Sequence, residues 1–193
     1  MQIDKVKKVT EYKWINLFDV QYTSKAGQKA NWMLASRRKN PLCQTGDAKP
    51  DAVVIVATKK TSLEQFLVVT KEWRVPLGGY EYGFPAGLVD EGETVADTAK
   101  RELKEETGLE VTRVTNISPV LYSSAGLTDE SAVMVFVECV GEVSTKNNEE
   151  TENIEVMLVN AKQALELATN ADIKISAKAW FIFHAFGQMG YIA

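Results

Sequence analysis

The stretch that most limits how this chain can fold is TVADTAKRELKEETGL, Thr94 to Leu109, because it carries its own start and stop. Thr94 is a hydroxyl N-cap, Asp97 stands where a capping-box acid reaches back, and Gly108 sits just past the last turn. These signals predict a helix over 94–107. At about 100° per residue, Glu102, Glu105 and Glu106 share roughly one third of its circumference. Exposed like charges at i and i+4, such as Glu102 and Glu106, repel by about a few tenths of a kcal/mol. Periodicity leaves two readings open. The face is either solvated and steadied by Lys100, Arg101 and Lys104, or it is a carboxylate cluster for a hard divalent cation.

Composition narrows the rest. The chain has 193 residues, 45% apolar and 25% charged, the proportions of a folded domain rather than a disordered or fibrous one. That length suits one domain with an extension and can bury a core without staples. Cys43 and Cys139 are too few for a disulfide framework or a cysteine-based zinc site, and the single His184 argues against a histidine-rich one. With 22 Lys and Arg against 26 Asp and Glu, the net charge of −4 attracts neither nucleic acid nor an anionic membrane. An anionic ligand would first need a cation to offset the acids. The opening residues, Met-Gln-Ile-Asp-Lys-Val-Lys-Lys, are too charged for a secretory leader, and no stretch approaches a membrane span. The expectation is a soluble cytoplasmic protein.

Around the helix, Tyr12 to Tyr22 and Lys29 to Arg37 predict two strands joined by the hairpin chemistry of Thr23 to Gly27. Arg37 to Asp51, with Asn40-Pro41, Gly46 and Pro50, reads as a connection. Ala52 to Ala57 and Gln65 to Lys71 are strands of the kind covered on both faces, and Leu77 to Tyr80 is turn material. Val111 to Tyr122, Ser131 to Val140 and Ile154 to Val159 are further strands, with an acidic loop from Gly141 to Thr151. Ala161 to Thr169 and Ser176 to Met189 predict two more helices, the second holding His184 as a packed or partly exposed residue. Cys139 reads as an inert buried thiol. Without strict βαβ alternation the class is α+β, a mixed sheet with helices packed on it. The division expected is an N-terminal β-strand region over 1–50 and a main domain over 51–193.

The residues flanking the helix decide between its two readings. Gly87, Glu93, Arg101-Glu102-Leu103, Glu105-Glu106, Gly108 and Leu109 fall in the pattern G-x5-E-x7-R-E-U-x-E-E-x-G-U, with U apolar. Seven chemically fixed positions at roughly one in fifteen each make a chance match on the order of 10⁻⁸ per start site. The pattern resembles the Nudix box, which implies an α/β/α sandwich with a mixed sheet. It also implies Glu102 and Glu106 as principal metal ligands, Glu105 as a further ligand or metal-held base, and a metal contact from the Ala86 carbonyl. The implied cofactor is Mg²⁺ or Mn²⁺, bridging the acids to a pyrophosphate they would otherwise repel. Arg101 can pair with Glu105 one turn on, or orient another box acid such as Glu93. The implied reaction is attack of water on one phosphorus.

Beyond the box, Lys71-Glu-Trp-Arg74-Val-Pro-Leu-Gly-Gly-Tyr80 and Phe84-Pro85-Ala86-Gly87-Leu88 resemble the ADP-sugar (ADP-ribose) pyrophosphatase branch. So does the N-terminal strand pair carrying Trp14 and Trp32. The likeness implies a homodimer with exchanged N-terminal strands, in which Trp14 and Trp32 sandwich the nucleobase; ordinary strand packing is the alternative. Arg37 and Arg74 match positions that contact the diphosphate, with surface ion pairs as the alternative, and Leu88 joins the substrate-binding set. Glu152 fits the general base, although Glu149, Glu150 and Glu155 compete for that role. Three positions depart from the branch: Ala125 where a proline is frequent, Gly83 where an acid often precedes Phe-Pro-Ala-Gly, and Met33 where Glu often follows the tryptophan. The implied function is metal-dependent hydrolysis of a nucleoside diphosphate sugar, ADP-ribose to AMP and ribose 5-phosphate foremost. GDP-mannose or UDP-glucose is the alternative substrate. A non-catalytic ADP-ribose sensor is the alternative of another kind, disfavoured by the complete set of box acids.

Overall fold

The computed structural model describes residues 1–46, 49–146, 148 and 153–192. Strands β1 (Gln2–Lys8), β2 (Asn16–Thr23) and β3 (Lys29–Ser36) and a helical turn α1 (Leu42–Thr45) precede β4 (Ala52–Lys60), β5 (Gln65–Arg74), β6 (Gly79–Gly83) and β7 (Ala86–Leu88). Helix α2 (Val95–Thr107) follows, then β8 (Glu110–Ile117), β9 (Leu121–Tyr122), β10 (Ser131–Val140) and β11 (Ile154–Val159). Helix α3 (Ala161–Thr169), β12 (Lys174–Ile175) and helix α4 (Ala177–Met189) complete the order. These elements form two compact units, Met1–Asp51 with Val120–Ala132, and Ala52–Pro119 with Val133–Ala193.

The larger unit is organised by its two β-branched runs. Val53, Ile55, Val56 and Ala57 of β4 and Leu67, Val68 and Val69 of β5 are all buried. Consecutive strand residues point to opposite faces, so burial of neighbours means both faces are covered. Each such Val, Ile or Leu side chain contributes about 1.5–3 kcal/mol relative to exposure. The sheet runs β12-β6-β5-β4-β10-β8, with β11 on β5 and β7 on β4. It is mixed: β12 is parallel to β6, while β5 pairs antiparallel with β4, β6 and β11. Helix α2 packs on β4, β7 and β8, and α3 and α4 pack on each other and on β5, β6 and β11. Phe84 meets Phe183 of α4 edge to face at 5.4 Å, and the Ile55 N–H donates to the Pro85 carbonyl at 2.8 Å. Those two contacts fix the short strand β7, which faces the acidic helix.

In the smaller unit β1, β2 and β3 form an antiparallel sheet with Phe18 and Val20 buried on one face. Trp14, Leu17, Trp32 and Met33 are exposed. Strand β9 pairs with the head of β10, and Ala35 bridges to Thr128. Asp51 accepts from the Ser131 N–H and hydroxyl, both at 2.9 Å, and pairs with Arg38.

Several expectations shift. The first hairpin strand starts at Asn16 instead of Tyr12, because the Asn16 side chain binds both the N–H and the carbonyl of Tyr12 and closes a turn. Strand β1 was not signalled: Lys5, Lys7 and Lys8 mask its alternation, although charge suits an edge strand. The run Val111 to Tyr122 divides at Ser118-Pro119, since proline lacks the N–H a ladder needs. Val75–Leu77 is a 3₁₀ turn, and Tyr80 already belongs to β6. No helix among the described residues is long and apolar enough to cross a membrane.

Candidate active site

Helix α2 begins and ends as its sequence predicts. The Thr94 hydroxyl accepts from the Asp97 N–H at 3.2 Å. Asp97 answers with its carboxylate on that same hydroxyl, at 2.7 Å, in place of the backbone N–H that a capping box uses. Gly108 is left-handed, at φ 73°, and its N–H closes onto the Lys104 carbonyl. Ala99 and Leu103 are fully buried against the sheet. Glu106, one turn after Glu102, is carried further out of solvent and is only 5% exposed. A carboxylate so placed is costly unless something meets its charge. The Ala86 N–H faces its Oε1 at 3.5 Å.

Arg101 organises the other acids. Its Nε and Nη2 grip the two oxygens of Glu93 at 2.9 and 2.8 Å, a fork-on-fork pair. Its Nη1 donates to Glu102 at 2.7 Å and to Glu105 at 3.2 Å, and Nη2 also reaches the Leu88 carbonyl at 3.3 Å. Both pairings open to Arg101 in the sequence are therefore made by one guanidinium. The Arg101 bonds, then the Thr98 hydroxyl, hold the Glu93 carboxyl down at about 2. Arg101 itself is raised further above its ordinary value, first by Glu93. Glu102 lies directly against Gly87, where an added Cβ would displace the carboxylate from the position it takes beside Arg101.

Among the described residues no three Asp, Glu, His or Cys side chains are gathered closely enough to enclose a cation. The donors are two carboxylates of low exposure, Glu102 and Glu106, with Glu105 turned onto Arg101. Hard oxygen donors in that number fit magnesium, which takes one or two carboxylates and leaves its remaining positions to water and phosphate.

The other expected residues divide between the units. In the larger, Arg74 is held by Glu72 at 2.7 Å and Glu81 at 3.6 Å, and Leu88 is exposed. In the smaller, Arg37 pairs with Glu130 at 2.8 Å. Trp14 is 66% exposed with Lys13 over its ring, and Trp32 is 51% exposed with its indole N–H on the Gly126 carbonyl at 3.2 Å. Ala125 and Met33 belong to the smaller unit and Gly83 to β6 of the larger. Glu152, with Glu149 and Glu150, lies outside the described residues, and Glu155 is committed to Lys71 at 3.0 Å. His184 is exposed and stacks on Trp180, and burial pushes the Cys139 thiol up to about 11. Sequence reading missed the carboxylate partners Glu72, Glu81 and Glu130.

The chain belongs to the Nudix hydrolase family: the NUDIX domain model matches residues 48–181, and the box folds as the acidic helix described above. A Caenorhabditis elegans protein named for the nudix hydrolases is 34% identical over 83% of this chain and 72% of its own length. An ADP-ribose pyrophosphatase of Saccharomyces cerevisiae is 30% identical over 69% of this chain and 56% of its own length. A solved structure described as an ADP compounds hydrolase superposes with a TM-score of 0.70 at 19% identity, over 98% of this chain and 96% of that one. The fold is the expected Nudix sandwich, and Nudix hydrolases are generally divalent-metal dependent.

Proposed function

We propose that this protein hydrolyses the pyrophosphate bond of a nucleoside diphosphate sugar, with ADP-ribose as the foremost substrate and AMP and ribose 5-phosphate as products. The observation that carries the reading is the Arg101-centred web of Glu93, Glu102 and Glu105 beside the buried Glu106. Glu102 and Glu106, with the Ala86 carbonyl, would hold Mg²⁺ or Mn²⁺, and Glu105 would be a further ligand. A bound divalent cation supplies charge neutralisation at the diphosphate and lowers the pKa of water. Arg101 offsets the mutual repulsion of Glu93, Glu102 and Glu105 and fixes the directions of their carboxylates. Arg74 and Arg37 are diphosphate donors and Leu88 belongs to the substrate-binding set. Glu152 is the proposed general base.

Residues 1–50 are assigned to dimerisation, with exchange of N-terminal strands between two copies, and 51–193 to the hydrolase domain. Trp14 and Trp32 are assigned to the nucleobase; their exposure supports this, since an indole in ordinary strand packing would be covered. A cytoplasmic location suits a metabolite of this kind.

The test is a panel of ADP-ribose, GDP-mannose and UDP-glucose with Mg²⁺ or Mn²⁺. The departures at Ala125, Gly83 and Met33 make the other two sugars necessary controls. Release of AMP from ADP-ribose is expected, with slower cleavage of the others. Tight binding without cleavage of any would replace hydrolysis by sensing. Sedimentation should give twice the chain mass, and an active monomer would remove strand exchange.

A further inference from the structure

The last carbonyls of a helix have no partner within it, and each must be met from outside. At the end of α2 the Lys104 carbonyl receives the Gly108 N–H at 2.9 Å. The carbonyls of Glu105, Glu106 and Thr107 remain. All three are met by one loop some 40 residues further along the chain. The Ser144 N–H donates to Thr107 at 2.8 Å. The Asn148 carboxamide faces the carbonyls of Glu105, Glu106 and Thr145 together. Only its nitrogen can face three carbonyl oxygens, and so turned it lies 3.2, 3.3 and 3.2 Å from them. The approach is close: a Cβ on Gly108 would meet Ser144 backbone at 2.9 Å, so this glycine serves the docked loop as well as its own left-handed turn.

Two of these carbonyls belong to box glutamates. We propose that Asn148 is a positioning residue for the metal-binding face. By tying the backbone of Glu105 and Glu106 it fixes the last turn of α2, and with it the direction in which the buried Glu106 carboxylate leaves the helix toward Ala86. The role rests on the proposed reaction for its catalytic meaning, but not for its effect on the site. Partners one shell removed from a metal ligand commonly change affinity by about 10- to 100-fold, and a backbone tie belongs at the low end.

The test compares native protein with Asn148→Ala and Asn148→Asp. The first removes the donor and the volume; the second keeps the volume but cannot donate and places a negative charge by the carbonyls. Titration with Mn²⁺ alone, read by the EPR signal of the free ion, should show about tenfold weaker binding for Ala and at least that for Asp. With ADP-ribose, the metal concentration for half-maximal rate should rise while KM at saturating metal stays within about twofold. Unchanged Mn²⁺ affinity in both variants overturns the proposal. So does a loss in Asn148→Ala alone, which would mark a packing role. Weakened Mn²⁺ binding in a protein that cleaves no nucleotide sugar would uphold the positioning role and sink the reaction instead.

Discussion

The acidic helix and the N-terminal region treat their candidate functional side chains in opposite ways. On α2 each charged box residue is already engaged: Arg101 holds Glu93, Glu102 and Glu105, and Glu106 is buried against β7. On the sheet and in the turn before it, Leu17, Trp32, Met33 and Trp14 present apolar surface to solvent. Electrostatic groups act in proportion to how well they are aimed before the reaction, because reorganisation during it costs free energy. An aromatic platform needs only its face free until something covers it. The first region is finished by folding. On the proposed function, the second would be finished by binding.

That contrast predicts which kinetic constant each region governs. The largest effect should come from Glu106→Gln, which keeps the shape and removes the charge. A loss of at least about 100-fold in kcat is expected, since even outer-shell changes at metal sites reach that size. Thermal stability should hold, and a near-native rate would detach this carboxylate from the chemistry. Next is Trp32→Ala. Base stacking is worth about 1–3 kcal/mol, so KM for ADP-ribose should rise roughly tenfold with kcat nearly unchanged. A fall in kcat alone would erase the division between the regions.

A smaller effect tests how the helix is finished. Glu93 titrates at about 2 in the fold against an ordinary 4.5, because Arg101 and then Thr98 favour its charged form. Between those values the unfolded chain binds the proton and the native one does not. Its contribution is therefore complete above pH 4.5 and lost as pH falls toward 2. Glu93→Gln should be less stable than the native protein near neutral pH, by chemical denaturation, with the gap closing below pH 4.5. A gap that stays constant through that range would mean the pairing contributes nothing through charge.

Much of this was legible in the sequence, and the particulars show why. The helix, its caps and the pairings of Arg101 with Glu102 and Glu105 join residues at most four apart, so a fixed helical geometry converts spacing directly into contact. The core strands were legible because burial on both faces demands an unbroken apolar run. The pairing of Arg37 with Glu130 at 2.8 Å and of Arg74 with Glu81 at 3.6 Å was not, since nothing in a single chain marks which carboxylate of another strand or loop an arginine will meet. Strand β1 was lost for a different reason: edge strands carry charge, and charge hides a period of two.

The sequence by itself determined the acidic helix, where it begins and stops, the spacing of its carboxylates and, through the box, the family to which the chain belongs. Only the tertiary structure decided that Glu106 is the acid taken out of water, that β7 is held in front of it by Phe84 and Ile55, and that Ser144 and Asn148 close the end of the helix. Local geometry propagates along a chain in fixed steps and can be counted. Burial and the meeting of distant backbone groups depend on which surfaces the folded chain brings together, and that is settled only when the whole core forms.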